Sequence, residues 1–234
     1  MSTRGCCRPA PPGPPVSCVV RWTRTGHAPG TLYDLANDEE RGRAGSLRIA
    51  LDRERSMLGA GLLRATVSEL SGTPAKQVLV VHRCRFCGGP HGRPELPGSG
   101  LHGSISHAGQ RVCVAVTGAG PVGVDIEPLA PVHPGLLAEM TGPAERTGAA
   151  GDRDVLVLWT RKEAVLKATG EGLSTALTAV VVTPAARPAA LLSHEALPHL
   201  KCRLVDLRLQ PGYAGAVAIL TTADVHVQER CVPP

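Results

Sequence analysis

The segment Gly123-Val124-Asp125-Ile126-Glu127 alternates apolar and acidic side chains, and that alternation commits it to a β-strand. Residues two apart on a strand share a face, so Asp125 and Glu127 point one way and Ile126 the other. Pro128 closes the run. Further along, Trp159-Thr160-Arg161-Lys162-Glu163-Ala164-Val165-Leu166-Lys167 has helical periodicity. There Glu163 and Lys167 stand at i and i+4, one above the other on a single stripe. Together the two segments offer three carboxylates and one ammonium to a shared space. That set suits a hard divalent cation beside a phosphate ester, because magnesium takes oxygen ligands and completes its shell with water and phosphate.

Each segment also has an ordinary reading. Two acids before a proline make a solvated strand end, and an exposed Glu/Lys helix pair contributes only ~0.2–0.5 kcal/mol. Their joint occurrence turns the balance. Acids on one face repel unless a cation lies between them, and Lys167 is unusual for this chain. Of 25 basic residues only Lys76, Lys162, Lys167 and Lys201 are lysines. A compact ammonium has been kept where arginine is otherwise the rule.

Hydrophobic residues make up 43% of the chain and aromatics only 2%, so the core is built from Val, Leu, Ile and Ala. The formal charge of +5 favours an acidic macromolecule or a polyphosphate as partner. Single-stranded nucleic acid needs aromatic platforms for stacking, and two Trp, two Tyr and one Phe supply too few. The pattern therefore excludes nucleic acid. No apolar run reaches the length of a membrane span or a secretory signal. The eight cysteines are irregularly spaced in a chain too large for a disulfide-stapled module. These features predict a reduced, cytoplasmic protein.

Residues 1–15 contain five prolines and no periodicity, which predicts a disordered tail. A strand is expected at Val16–Arg21. One helical stretch is expected over Asp38–Leu70, where Leu47, Leu51, Leu58, Leu62 and Leu63 recur at three- and four-residue steps. Further strands are expected at Gln77–His82 and Val112–Thr117, before the Gly118–Pro121 turn. Helices follow around Pro134–Thr147 and Asp154–Thr169, then strands near Leu177–Thr183, Cys202–Leu209 and Tyr213–Thr221. Both parts of the chain run strand, helices, strands, and Val112–Thr117 is echoed by Gly215–Leu220. The expected fold is α+β, two similar halves of residues 16–117 and 118–234, each a small mainly antiparallel sheet packed with helices.

The two motif segments resemble the Sfp-type 4'-phosphopantetheinyl transferases. That family carries a Gly-Val/Ile-Asp-x-Glu strand followed by Trp-Ser/Thr-x-Lys-Glu-Ala/Ser-x-x-Lys. Gly92-Arg93-Pro94 resembles its Gly-Lys-Pro element, and Ser104-Ile105-Ser106-His107 its Asn-x-Ser-His element. Gly170-Glu171-Gly172-Leu173 falls where the family has Gly-x-Gly-Leu. The series runs in order from about Arg41 to Leu173.

The resemblance implies a pseudo-twofold fold with coenzyme A held between the halves, the N-terminal half supplying its contacts and the C-terminal half the metal and catalytic residues. Asp125, Glu127 and Glu163 would bind magnesium, with manganese as an alternative. Glu163 would also take the acceptor proton, directly or through a water, and Lys167 would hold the phosphate under attack. Ser106 and His107 match the family position at the 3'-phosphate of coenzyme A, helped by Arg93, which stands where lysine is usual. Arg55 and Ser56 align with a helix start near the adenosine, and Arg41 and Arg43 reach toward the 3'-phosphate. For these last four a solvated helix face is an equal reading. Trp159, one turn before Glu163, packs the helix.

The implied reaction moves 4'-phosphopantetheine from coenzyme A to a serine of an apo acyl or peptidyl carrier protein and releases adenosine 3',5'-bisphosphate. Other readings of the same residues are a magnesium-dependent phosphodiesterase and a non-catalytic adaptor for coenzyme A or a carrier. The pathway served, fatty acid, polyketide or nonribosomal peptide, is left open. Two catalytic halves in one chain favour a monomer. The sequence departs from the family at Ser104, where asparagine is common, and in a slightly short interval between the two motifs. Cys84-x-x-Cys87 followed by His91 is half a zinc site at most, since zinc needs four ligands, and a reduced pair of loop thiols is the expected state.

Overall fold

The computed structural model describes residues 16–84, 87–89, 92–142, 145, 151–208 and 211–233. The expected N-terminal tail, and His91 of the cysteine motif, lie outside the described residues.

Alternating apolar residues build a first sheet of four strands in the order β11-β1-β5-β4. β1 (Val16–Arg24) pairs antiparallel with β5 (Arg111–Thr117), which pairs antiparallel with β4 (His102–Ala108). β11 (Val225–Cys231) lies parallel to β1, with Val16 opposite Val225 and Trp22 opposite Cys231. A second sheet runs β6-β10-β9, from β6 (Val122–Pro128), β10 (Tyr213–Ile219) and β9 (Arg203–Asp206). Smaller ribbons pair β2 (Val81–His82) with β3 (Pro94–Glu95), and β7 (Val180–Val182) with β8 (Leu191–His194).

Burial arranges these sheets in four layers. Val112, Val114 and Val116 on one face of β5 pack against Leu58, Leu62, Leu63 and Val67 of helix α3 (Ala50–Ser71). Cys113 and Ala115 on the other face meet Val122, Val124 and Ile126 of β6 and Val217 of β10. The far side of β10, through Ala216 and Ala218, packs on Leu158, Val165 and Leu166 of the long helix Asp152–Thr169. The core is mainly aliphatic, as the composition requires, with Trp22 buried in the cluster between the two sheets. This α+β architecture with small, largely antiparallel sheets matches the expected fold class.

Several boundaries differ from expectation. The stretch expected as one helix is two, α2 (Asp38–Ser46) and α3, separated by extended backbone at Leu47 and Ile49. A full capping box starts α2, with the Asn37 side chain accepting from Glu40 N–H and Glu40 accepting from Asn37 N–H. Arg53 then binds the Leu47 and Arg48 carbonyls that the break exposes. A short helix α1 (Gly30–Tyr33) precedes α2. Most of Gln77–His82 is a 3-10 turn and loop, with only Val81–His82 in a strand. Around Pro134–Thr147, the described helix is α4 (Leu136–Met140). The long helix Asp152–Thr169 is α5, and its left-handed cap is Gly170 at φ 77°.

Candidate active site

Two edge strands, β4 of the first sheet and β6 of the second, run side by side, and serine side chains bridge them in place of a backbone ladder. Ser104 Oγ accepts from Val124 N–H at 3.0 Å, and Ser106 Oγ accepts from Ile126 N–H at 3.3 Å. Ser104 thus does a definite job where the family usually has asparagine. The i, i+2 spacing of the serines matches the i, i+2 spacing of the amides they meet.

Helix α5 crosses this seam at very short range. A Cβ on Gly123 would lie 2.0 Å from the Ala164 carbonyl oxygen and 2.5 Å from Ala168 N. Only glycine fits between strand and helix there, which gives the Gly of the strand motif a packing reason. The close approach carries Lys167 across to β6. Its Nζ donates to Asp125 Oδ1 at 2.6 Å, to the Val124 carbonyl at 3.1 Å and to Ser106 Oγ at 3.2 Å. Ser106 in turn donates to Asp125 Oδ1 at 3.0 Å.

Asp125 and Glu163 are buried, at 5% and 7% exposure, while Glu127 is half-buried. Burial and repulsion from Asp125 raise the Glu163 carboxyl above its ordinary value, against the pull of Lys167. Burial does most to raise Glu127 to about 7, with Asp125 and Glu163 adding repulsion and Lys167 again opposing. Glu127 therefore senses both other acids, and Glu163 senses Asp125. Asp125 Oδ2 and Glu163 Oε1 are buried and accept no hydrogen bond. Buried oxygens without donors are costly, and a hard cation with oxygen preference would satisfy both. Among the described residues, however, no three His, Cys, Asp or Glu side chains are grouped tightly enough to hold an ion as they stand. The nearest positive charge to Asp125 is Lys167 itself.

Residues 121–218, from just before β6 into β10, match a family model for the 4'-phosphopantetheinyl transferase superfamily. The chain is 30% identical to 4'-phosphopantetheinyl transferase psf-1 of Bacillus pumilus over 202 residues, covering 80% of this chain and 79% of that one. The chain belongs to the 4'-phosphopantetheinyl transferase superfamily. The transferase is also similar to 4'-phosphopantetheinyl transferase ffp of Bacillus subtilis, at 28% over 80% of this chain and 83% of that one. Likeness to 4'-phosphopantetheinyl transferase Sfp of Bacillus subtilis strain 168 is 29%, over 71% and 74% of the two chains.

The remaining expected residues of the transferase fall into two groups. His107 lies on β4 with its ring partly desolvated, and that desolvation, with the charges of Arg55 and Lys167, lowers its pKa. Arg55 reaches this end of the seam from α3, bound to Asp52 at 2.8 Å and to the Gly109 carbonyl. Ser56 follows it on the half-buried start of α3. Arg93 sits at the other end of β4. It donates to the Ala168 carbonyl at 2.9 Å and its charge acts on His102. His102 and His107 are roughly 17 Å apart along an extended strand. Arg93 also lines a cavity of about 290 Å³ with Leu96, Leu101, His102 and Val122. Arg41 binds the Ala36 and Tyr33 carbonyls at 3.0 Å each, closing the end of α1. Arg43 lies near His82, whose pKa its charge helps to lower after burial.

Sequence reasoning missed the supports behind Glu163. Lys162 is fully buried and donates to Glu145 at 2.8 Å and to the carbonyls of Met140, Leu177 and Val180. Glu145 also accepts from Val182 N–H at 3.0 Å. Arg161, also fully buried, forks onto Asp206 at 2.8 and 2.6 Å and binds the Thr183, Pro184 and Arg187 carbonyls. These two cations tie α5, and Glu163 with it, to α4, β7 and β9. Glu171 Oε2 accepts from Thr169 Oγ1 at 2.7 Å and lies 2.9 Å from the buried His194 Nε2, tying the Gly170–Leu173 motif down. The usable signal was two cations adjacent to Glu163 on a helix with an apolar partner face, which cannot all face water.

Proposed function

We propose that this transferase moves the 4'-phosphopantetheine arm of coenzyme A onto a serine hydroxyl of an apo acyl or peptidyl carrier protein. The observation that carries the reading is the seam itself: Asp125, Glu163 and Lys167 converge on it, with Glu127 beside them and two buried carboxylate oxygens awaiting a partner. Asp125, Glu127 and Glu163 would hold magnesium, or manganese in its place, and the bound ion would neutralise charge on the pyrophosphate of coenzyme A.

Glu163 takes the serine proton. Its raised pKa suits that role, because a base works best when its pKa lies near the working pH. The serine oxygen forms a new bond to the phosphorus bearing pantetheine. The bond from that phosphorus to the bridging oxygen breaks, and the electron pair leaves with adenosine 3',5'-bisphosphate. Lys167 turns from Asp125 toward the phosphate and steadies the charge that builds there. His107 and Ser106, with Arg55 and Ser56 beside them, hold the 3'-phosphate end of coenzyme A. Arg93, at the far end of β4, contacts another part of the same nucleotide, and Arg41 and Arg43 add positive potential along α2. Transfer of this kind depends on positioning and charge stabilisation.

We read residues 16–117 as the half that contacts coenzyme A and 118–234 as the half with metal and catalytic groups. Support comes from His107 and Arg55 lying in the first and Asp125, Glu127, Glu163 and Lys167 in the second. β11 returns from the second to complete the sheet of the first. With both halves in one chain the enzyme acts as a monomer. Among the described residues no helix is long and apolar enough to cross a membrane, and we place the enzyme in the cytoplasm.

The test is incubation with coenzyme A, magnesium and a panel of apo carriers, followed by intact mass. Carrier gaining one phosphopantetheine supports the transferase. Free phosphopantetheine released without carrier would make the protein a hydrolase, and tight binding without turnover would make it an adaptor.

A further inference from the structure

Where the first sheet ends beside β10, a cavity of about 330 Å³ opens between the strand ends. None of the residues given a role in transfer lines it, and it shares no lining residue with the cavity beside Arg93. Its walls follow from strand register. Trp22 and Arg24 are two apart on β1 and share a face. Arg111 of β5 stands directly opposite Arg24. Opposed residues project to the same side, so two guanidiniums meet on one face, which like charge disfavours.

No carboxylate relieves that pair. Among the described residues that line the cavity none is acidic. Glu54, which reaches this end from α3, is engaged by Gly26 N–H at 2.6 Å and by the Tyr33 hydroxyl at 2.8 Å. Glu229 lies deeper on β11, opposite Val20, and accepts from Arg208 N–H at 2.9 Å.

The walls are also fixed in place. The Arg111 guanidinium lies over the Trp22 ring, 4.5 Å from its centroid, and over the Tyr213 ring at 4.7 Å. In a chain with two Trp, two Tyr and one Phe, two aromatics thus stack on one cation. The Tyr213 hydroxyl accepts from Gln110 N–H at 3.2 Å. It rests on a turn where Gly109 takes φ 54° and a Cβ would lie 2.4 Å from that hydroxyl, so only glycine fits. Arg24 donates from Nε and Nη2 to the Gln110 side-chain oxygen at 2.9 and 2.5 Å, with Nη1 outside that fork. A neutral amide orients the guanidinium and leaves its charge uncompensated.

We propose that this cavity is a binding site for a small organic anion, a carboxylate or phosphate head on an aromatic or acyl body. The head meets the arginine pair, whose planar N–H geometry suits either group. The body lies along Trp22 and Val232. Occupancy neutralises the opposed guanidiniums and ties β1 and β5 to β10. It does so next to the strand end that carries Glu127, since Tyr213 pairs with Pro128.

The two tryptophans give the test an internal control, because Trp22 lines the cavity while Trp159 packs in the core beside α5. The full chain is titrated with benzoate, phenyl phosphate and neutral benzamide, following the two indole N–H signals by NMR, which Trp159→Phe assigns. Each titration is repeated with saturating coenzyme A and magnesium. Benzoate or phenyl phosphate is expected to shift the Trp22 signal saturably and leave Trp159 in place, and the stronger of the two identifies the head group. Benzamide should bind roughly tenfold more weakly or worse, the loss expected when a hydrogen bond to a charged group goes. Arg24→Gln changes an exposed side chain and should weaken the anion by a similar factor. Arg111→Gln should do the same, with circular dichroism checking its fold; the Arg24 result stands without it. A Trp22 signal indifferent to both anions would overturn the proposal, as would benzamide binding as tightly as benzoate. Displacement of the probe by coenzyme A would also overturn it, by making the cavity part of the coenzyme A site. No readout involves carrier modification, so failure here and failure of the transfer reaction remain separate results.

Discussion

Lys167 Nζ lies 2.6 Å from Asp125 Oδ1, so a helix cation closes onto a strand carboxylate at the seam between the two sheets. It is one positive charge among three acids, and it lowers the pKa of both Glu127 and Glu163. The same ammonium is a counter-ion to Asp125 in this structure, and we propose that it becomes a phosphate ligand when substrate binds.

Replacing it separates these duties. Lys167→Met is expected to lower single-turnover transfer by about 10²–10³, the range for losing one donor to a developing charge. Magnesium should still bind, since all three carboxylates remain. Full transfer in the variant would remove Lys167 from the phosphate.

The acids predict a metal-linked pH dependence. Glu127 has a folded pKa of about 7 against an ordinary 4.5, so between those values the folded state holds more protons than the unfolded state. Stability of the metal-free protein therefore falls as pH rises from about 4.5 through 7, by linkage. Magnesium competes with the protons, so its stabilising shift in Tm should be larger at pH 8 than at pH 5.5. Equal shifts at the two pH values would contradict the assignment of Glu127 and Glu163 to the ion.

Gly123→Ala places a methyl 2.0 Å from the Ala164 carbonyl oxygen. Since backbone lies on both sides, α5 must retreat from β6. Chemical denaturation should register a loss of about 1–3 kcal/mol or more, and transfer should fall further than stability does, because Lys167 and Glu163 move with the helix. Wild-type turnover in a folded variant would show that the close approach is not needed.

The strand and helix of the site were legible because their periods are strong: Val122–Pro128 and Asp152–Thr169 sit close to where the alternation and the helical spacing put them. Ile126, expected on the face opposite Asp125 and Glu127, is buried at 1% exposure. Asp125 is buried too, because β6 is covered on both sides, and alternation cannot report a second covering layer. The break at Leu47–Ile49 was missed since leucines recur in helical steps straight through it; Gly42 and Gly45 were the local warning. β4 escaped because Gly, Ser and His dilute its apolar face, and those serines are used for side-chain bridges to β6. β11 escaped because its pairing to β1 joins the two ends of the chain, a contact no local pattern encodes. The burial of Lys162 and Arg161 is not written in the local pattern, because their partners Glu145 and Asp206 lie 17 and 45 residues away.

That burial gives a further expectation. Glu145→Ala leaves the Lys162 ammonium buried with carbonyl partners alone, at a cost of about 3–5 kcal/mol. The double change Glu145→Leu with Lys162→Met should cost far less, because both desolvated charges go together. Urea denaturation of the single and double variants measures the difference; equal losses would place the pair outside the support of α5.

The central claim is that the acids and lysine of the β6–α5 seam transfer phosphopantetheine from coenzyme A to a carrier serine. The most direct measurement is intact-mass kinetics on an apo carrier with coenzyme A and magnesium, comparing wild type with folded Glu163→Gln and Asp125→Ala. The account predicts complete conversion to the phosphopantetheinylated carrier by wild type and almost none by either variant. Conversion at wild-type rate by both variants would contradict it.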